Sequence, residues 1–274
     1  MRAIETYAEY AVEYARRLLE IPSPSGYTHE AADAICSMFT QMGYAPQRTQ
    51  KGGIIARLGG ESDRGAVMLQ SHIDTLGGMV AEVKENGRLR IVPVGSLNAH
   101  NTETENCTVI TKKAGTYEGT FQLIDASTHV NAKYSETLRT FWGMEVVLDE
   151  QVSDKAAVAA LGISAGDFVC FDPRTRLTKS GYIKSRFLDD KLSAGILLAY
   201  AKYLKDRGCA PKTPCVLYFT VFEEVGHGAA SNIDADIAEA ICVDMGCVGE
   251  GLTCTEHMVS ICAKDNGGPY HYDV

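Results

Sequence analysis

The sequence predicts an α/β fold with a small β domain inserted into it, on three observations. Apolar runs of strand length alternate with helical patterns at both ends of the chain. The middle loses its helical periodicity and gains hairpin punctuation. Dense apolar runs at Cys215–Phe222 and Ala240–Val243 have the length of strands.

Taken in order, residues 3–20 carry Ile4, Tyr7, Ala8, Ala11, Ala15 and Leu18 at helical spacing, with charged residues between them. Ile21-Pro22-Ser23-Pro24-Ser25-Gly26 ends that helix with two prolines and a glycine. A second helix places Ala31, Ala32, Ile35, Phe39 and Met42 on one face and closes at Gly43. Strands are expected at Ile54–Leu58 and Ala66–Gln70, and a short one at Lys184–Leu188. A helix marked by Leu192, Ile196, Ala199, Tyr203 and Leu204 follows. Such alternation implies a sheet covered on both faces. Between these parts, turns at Asn86-Gly87 and Ala114-Gly115 separate strand-like runs at Leu89–Val94, Thr108–Thr111, Thr120–Ile124, Glu145–Leu148 and Phe168–Phe171. One short helix is expected near Lys155–Leu161. The division that follows is one α/β unit from 1–77 and 181–274, with a β unit at 78–180.

Composition narrows the function classes. The 274 residues are 45% hydrophobic and 22% charged, as in ordinary globular proteins. The net charge of −9 and the lack of a basic patch argue against nucleic-acid binding. No apolar run approaches the ~20 residues that span a bilayer. The nine cysteines show no C-x-x-C pair, which argues against a finger-type zinc site and fits a reducing cytoplasm.

In open α/β sheets ligands bind beyond the carboxyl ends of the strands. Four apolar runs end in Ser71-His72-Ile73-Asp74, Asp189-Asp190, Glu223-Glu224 and Asp244. Each has a plain structural reading. A histidine can be a satisfied group at a strand end, an aspartate can cap a helix, and paired acids can sit in a solvated loop. Four such sets on one sheet edge are harder to explain that way. His72 and Asp74, two apart on a strand, point the same way, so the carboxylate could accept a bond from the ring and fix its tautomer. One carboxylate of Asp189-Asp190 could bridge two cations. Adjacent glutamates on an extended strand would point apart, so one could hold a metal while the other shuttles a proton.

These segments resemble the glutamyl-aminopeptidase or tetrahedral-aminopeptidase family of cocatalytic metallopeptidases. The matching stretches are Ser71–Gly77, Gly162–Val169, Leu188-Asp189-Asp190-Lys191, Phe219–Gly226 and Val243-Asp244. The resemblance implies a zinc-peptidase-like α/β sandwich with the β insert. It also implies two divalent ions, zinc or cobalt, and a homo-oligomer that can reach a dodecamer. It makes His72, Asp189, Glu224 and Asp244 the metal ligands: Asp189 bridges, Asp244 joins His72 at one ion and Glu224 holds the other. It makes Glu223 the general acid/base, Asp74 the support of His72, and the Asp189–Asp190 peptide cis. The implied reaction is removal of N-terminal residues from peptides by a metal-activated water. Alternatives are a two-metal deacylase or carboxypeptidase acting on a small amide, and a non-catalytic binding or assembly protein retaining the fold. The departures are Lys191 where many relatives carry arginine, His227 after the glutamates, and the family's last histidine ligand. That ligand is expected beyond Val274, because His257 is read as a non-ligand and His271 lies outside the local motif. The chain is accordingly read as truncated, with at most one well-occupied metal.

Overall fold

The computed structural model describes residues 2–230, 233–264 and 268–269. Helix α1 (Arg2–Leu19) carries Glu5 in its first turn and Arg16 and Arg17 in its last, which complements the helix dipole. Helix α2 (His29–Gln41) buries Ala31, Ala32, Ile35, Met38 and Phe39. Strands β1 (Gln47–Arg48), β2 (Ile54–Gly59) and β3 (Ala66–His72) follow. The chain then passes through β4 (Gly77–Val83), β5 (Leu89–Val94), β6 (Glu105–Ile110), β7 (Thr116–Leu123), β8 (Met144–Leu148), a short α3 (Lys155–Ala160) and β9 (Phe168–Phe171). It returns through a hairpin of β10 (Arg176–Leu177) and β11 (Ile183–Lys184), helix α4 (Leu188–Arg207), β12 (Cys215–Thr220) and β13 (Ile237–Cys242).

The main sheet has the order β1-β2-β12-β3-β13. Strands β12 and β13 run parallel to β3 on either side of it, and β2 is antiparallel to β12. All six residues of β12 are buried, as its unbroken apolar run requires of a central strand. Leu217 and Phe219 of β12 join Ile54 and Ala56 of β2 and the apolar faces of α2 and α4 in one core. Helix α1 lies directly on α4. A Cβ on Gly195 would stand 2.5 Å from Ala11 O and 2.8 Å from Ala15 N, so the two backbones meet where α4 has no side chain. On the other face Ala66, Met68, Val216 and Tyr218 form a small cluster that contains no helical residue. The helical cover expected on both faces is thus found on one, among the described residues.

Strands β4 to β9 form a closed barrel in the order β4-β5-β8-β7-β6-β9, with its own core of Leu89, Ile91, Val109, Phe121, Val146 and Val169. The expected turns are present: Gly87 and Gly115 both take positive φ in the β4–β5 and β6–β7 hairpins. Strand β4 escaped the sequence reading, because Gly77-Gly78 opens it like a turn.

One expected strand is corrected. Only Ile183–Lys184 is extended in a ladder, and it pairs with β10 rather than with the main sheet. Residues 185–187 leave strand geometry because they tie the chain to the barrel. Arg186 N donates to Pro173 O at 2.8 Å, and Phe187 takes φ 64° and packs on the barrel core. Asp189 and Asp190 therefore arrive at the start of α4 and not at the end of a sheet strand.

Candidate metal centre

Strand register builds the site. Thr220 of β12 pairs with His72, and Cys242 of β13 pairs with Gln70, so three parallel strands end side by side. Beyond them lie His72 and Asp74 after β3, Glu223 and Glu224 after β12, and Asp244 after β13. From above, α4 brings Asp189 and Asp190, joined by a cis peptide and both off helical geometry. Glu223 and Glu224 do not continue the strand. Phe222 takes φ 68°, and Glu223–Val225 form a single 3-10 turn, so strand alternation does not set the directions of the two glutamates.

The imidazole of His72 is 2% exposed and is the hub. Its Nε2 lies 2.9 Å from Asp189 Oδ1, 3.7 Å from Glu223 Oε2 and 4.0 Å from Asp244 Oδ2. Its Nδ1 lies 2.9 Å from the main-chain oxygen of Asp74 and 3.5 Å from Asp74 Oδ1, so the carbonyl, and not the expected carboxylate, is the ring's nearer partner. The Asp74 carboxylate instead accepts bonds from Ser25 Oγ (2.5 Å), Glu223 N (3.1 Å) and Glu224 N (3.2 Å). Asp190 Oδ2 accepts the main-chain N–H of His72 at 3.1 Å.

Two groups of ligand atoms fall within 4.8 Å of one another: His72, Asp189 and Glu224, and His72, Asp190 and Asp244. The four expected ligands are therefore close together. Asp190, assigned no ligand role from sequence, is as near as they are. His257 is exposed and faces Glu256, and His271 lies outside the described residues.

The electrostatics of this cluster call for a cation. Burial would lower the His72 pKa, but the bond to Asp189 and the charges of Asp74 and Asp190 push it up to about 11. Burial pushes Asp190 up to about 8, against a bond from Ser193. It pushes Glu224 up to about 7, aided by the charge of Asp189. Glu223 and Asp244 are raised by burial too. Burial acts the same way on Asp74, but the neighbouring His72 ring and the bond from Ser25 outweigh it and hold that carboxyl low. Burial thus raises Asp190, Glu223, Glu224 and Asp244, and no lysine or arginine pairs with them among the described residues. A divalent ion would supply the missing positive charge, so the residues present fit one.

The surroundings brace the glutamate turn. Lys51, in the β1–β2 turn, donates to the carbonyl oxygens of His227 and Gly228, and the His227 ring stacks on Phe222 with centroids 5.2 Å apart. His227 thereby acquires a place that its sequence context did not suggest. From the barrel, Gly95 comes so close that a Cβ there would stand 3.1 Å from Glu224 O. Lys191 is buried and donates to Ile21 O at 2.6 Å, which ties α4 to the loop after α1. The sequence reading missed Ser25 as a site residue, since its loop looked like a helix stop and nothing more.

A histidine and acid cluster beyond the carboxyl ends of parallel strands, with a barrel inserted between them, defines the class: an α/β protein with a candidate metal centre. The family follows from comparison. The model of the M42 glutamyl aminopeptidase family matches residues 52–274, and the chain belongs to that family. YhfE of Bacillus subtilis (strain 168), named as an aminopeptidase, is 39% identical over 271 residues, which cover 98% of this chain and 78% of YhfE. An aminopeptidase structure from the archaeon Desulfurococcus kamchatkensis superposes with a TM-score of 0.78 at 21% identity, covering 94% of this chain and 69% of that one. The Pyrococcus horikoshii TET1 peptidase, described as assembling into a tetrahedron or a large octahedral shell, gives 0.68 at 22% identity, covering 79% and 62%. Membership of that family implies use of a divalent metal.

Proposed function

We propose that the chain is a metal-dependent aminopeptidase that removes N-terminal residues from peptides, with two divalent ions, zinc or cobalt, in the complete site. The observation that carries this reading is the convergence of His72, Asp189, Glu224 and Asp244 around one point, with Glu223 beside it. His72, Asp189 and Asp244 would hold one ion, and Asp189 and Glu224 the other. The bound ions would supply Lewis-acid polarisation of the scissile carbonyl and a water acidic enough to react near neutral pH.

The chain's own residues do the rest. Glu223 is half exposed, and burial raises its pKa, so it sits nearer the working pH than an ordinary glutamate. It takes the proton of the attacking water and delivers it to the departing amine. The carbonyl oxygen of Asp74 keeps the His72 ring in the tautomer whose Nε2 faces the acids. The Asp74 carboxylate holds the main chain of both glutamates through their amides.

The division into a catalytic unit (1–77 and 181–274) and an inserted unit (78–180) belongs to the same reading. So do a homo-oligomeric state, up to a dodecamer, and a cytoplasmic location. Among the described residues no helix is long and apolar enough to cross a membrane. Metal analysis together with hydrolysis of aminoacyl p-nitroanilides, with added zinc or cobalt, tests the function. Bound metal without aminoacyl turnover would mean a deacylase on the same centre. Neither metal nor turnover would mean a protein that keeps the fold without the chemistry.

A further inference from the structure

The loop Ile21–Gly26, between α1 and α2, is built as a bracket against the end of β3. Ser23 Oγ donates to Ile73 O at 2.7 Å, Thr75 N to Ser23 O at 2.9 Å, and Ser25 N to Thr75 O at 3.2 Å. Pro24 and Thr75 form an isolated parallel bridge. Prolines at 22 and 24 fix φ on both sides of Ser23, so the loop has few other shapes available. Lys191 Nζ anchors its first residue from α4. From this bracket one side chain reaches the site. Ser25, itself buried, donates to Asp74 Oδ2 at 2.5 Å. That same oxygen accepts Glu224 N, and the other oxygen accepts Glu223 N. Among the described residues, Ser25 is the one hydroxyl that holds this carboxylate. It lies outside the stretch 52–274 matched by the family model.

We propose that Ser25 is a positioning residue of the reaction: through Asp74 it sets where the Glu223–Glu224 turn stands. The proposal rests on reading Glu223 as the acid/base. Without the hydroxyl, Asp74 keeps its charge and its two amide donors but loses the fixed point that orients it. The turn then shifts as a unit. A displacement of this kind lowers turnover more than substrate binding, because the proton shuttle acts at the transition state.

The test uses the full chain and four variants. Ser25→Ala should lower kcat by about 10- to 100-fold on an aminoacyl p-nitroanilide, with KM within about twofold of wild type. Ser25→Thr, which keeps the hydroxyl, should restore most of kcat. Ser23→Ala removes a comparable buried bond from the same loop without touching Asp74, so it should lower thermal stability and leave kcat near wild type. Should Ser25→Ala not fold, Ser25→Cys, which keeps a side chain of similar size but donates weakly, should show the same order with a smaller loss. Amide hydrogen exchange gives a readout independent of activity. The peptide spanning Phe222–Gly226 should exchange faster in Ser25→Ala than in wild type or Ser23→Ala. Wild-type kcat and exchange in Ser25→Ala would overturn the proposal, and so would an equal loss of kcat in Ser23→Ala. A wild-type chain without aminoacyl turnover at saturating added zinc or cobalt would sink the proposed function instead, and exchange would still decide the role of Ser25.

Discussion

Replacing Glu223 by glutamine separates proton transfer from metal binding. The two side chains have the same shape, and no described residue donates a hydrogen bond to the Glu223 carboxylate, so the substitution leaves no buried donor orphaned. It removes one negative charge that burial disfavours, that His72 attracts and that Asp244, Asp74 and Asp189 repel, the sum of which raises the Glu223 pKa. The fold should therefore survive unchanged or slightly more stable in the absence of metal. What is lost is the proton shuttle. A positioned acid/base contributes about 10²–10⁴-fold, which corresponds to about 3–5 kcal/mol on the barrier. Glu224→Gln is the companion. Its side chain belongs to the group with His72 and Asp189, all within 4.8 Å. Losing that charge should weaken one ion and leave the other. Kinetics on aminoacyl p-nitroanilides beside metal analysis of dialysed protein reads both variants. Metal stripped from Glu223→Gln but retained by Glu224→Gln would show that the two roles are reversed.

Asp74→Asn should cost about 2–4 kcal/mol in urea unfolding, because a fully buried carboxylate with three donors becomes a group that must aim an N–H at one of them; an unchanged midpoint would contradict the hydrogen-bond assignment. Zinc binding should expel about one proton at pH 8, since metal-free His72 stays protonated up to about 11 and a ligating imidazole must be neutral. Affinity should then rise with pH from 6 to 8. Calorimetric heats that do not depend on the ionisation enthalpy of the buffer would refute this. On the proposed assignment, which gives His72 to the other ion, an ion at Asp189 and Glu224 would have two protein ligands among the described residues, both oxygen donors, so titration with zinc should show at most one tight site; two tight sites would mean that another group completes the second. Gly195→Ala should lower stability by about 1–3 kcal/mol, because its Cβ meets backbone of α1 on a crossing that has no slack, and an unchanged unfolding midpoint would rule out so close a packing.

The parts legible in the sequence were those set by apolar periodicity. The runs that became β2, β3, β12 and β13 declare themselves by length and composition, and the polar residues just past three of them then fall on one sheet edge. Asp189 and Asp190 were found by their motif but assigned the wrong route, because Lys184–Leu188 has strand composition and only the docking of Arg186 and Phe187 on the barrel bends it away. The His72–Asp74 relation was read from side-chain direction alone, which cannot tell a carbonyl partner from a carboxylate one. Ser25 stayed hidden because its contact is 49 residues distant, and a turn-rich loop carries no pattern that names its partner. The pairing of Lys51 with the His227 loop spans 176 residues and was out of reach for the same reason.

The bonds from Glu223 and Glu224 to Asp74 span 149 and 150 residues, and the His72–Asp189 contact spans 117. The barrel and α4 both lie inside the longer loops. Ring closure over such lengths is entropically unfavourable until the intervening chain has condensed, and contacts so remote in sequence form slowly. A nascent or partly unfolded chain therefore presents His72 with Asp74, Asp189 with Asp190 and Glu223 with Glu224 as separate pairs, not a chelating pocket. Metal uptake at this site would then report completed assembly: an ion that prefers the assembled site to the unfolded chain would stabilise the native state by an amount that grows with the logarithm of the free metal concentration. Metal availability would then set the lifetime of the folded molecule as well as its activity.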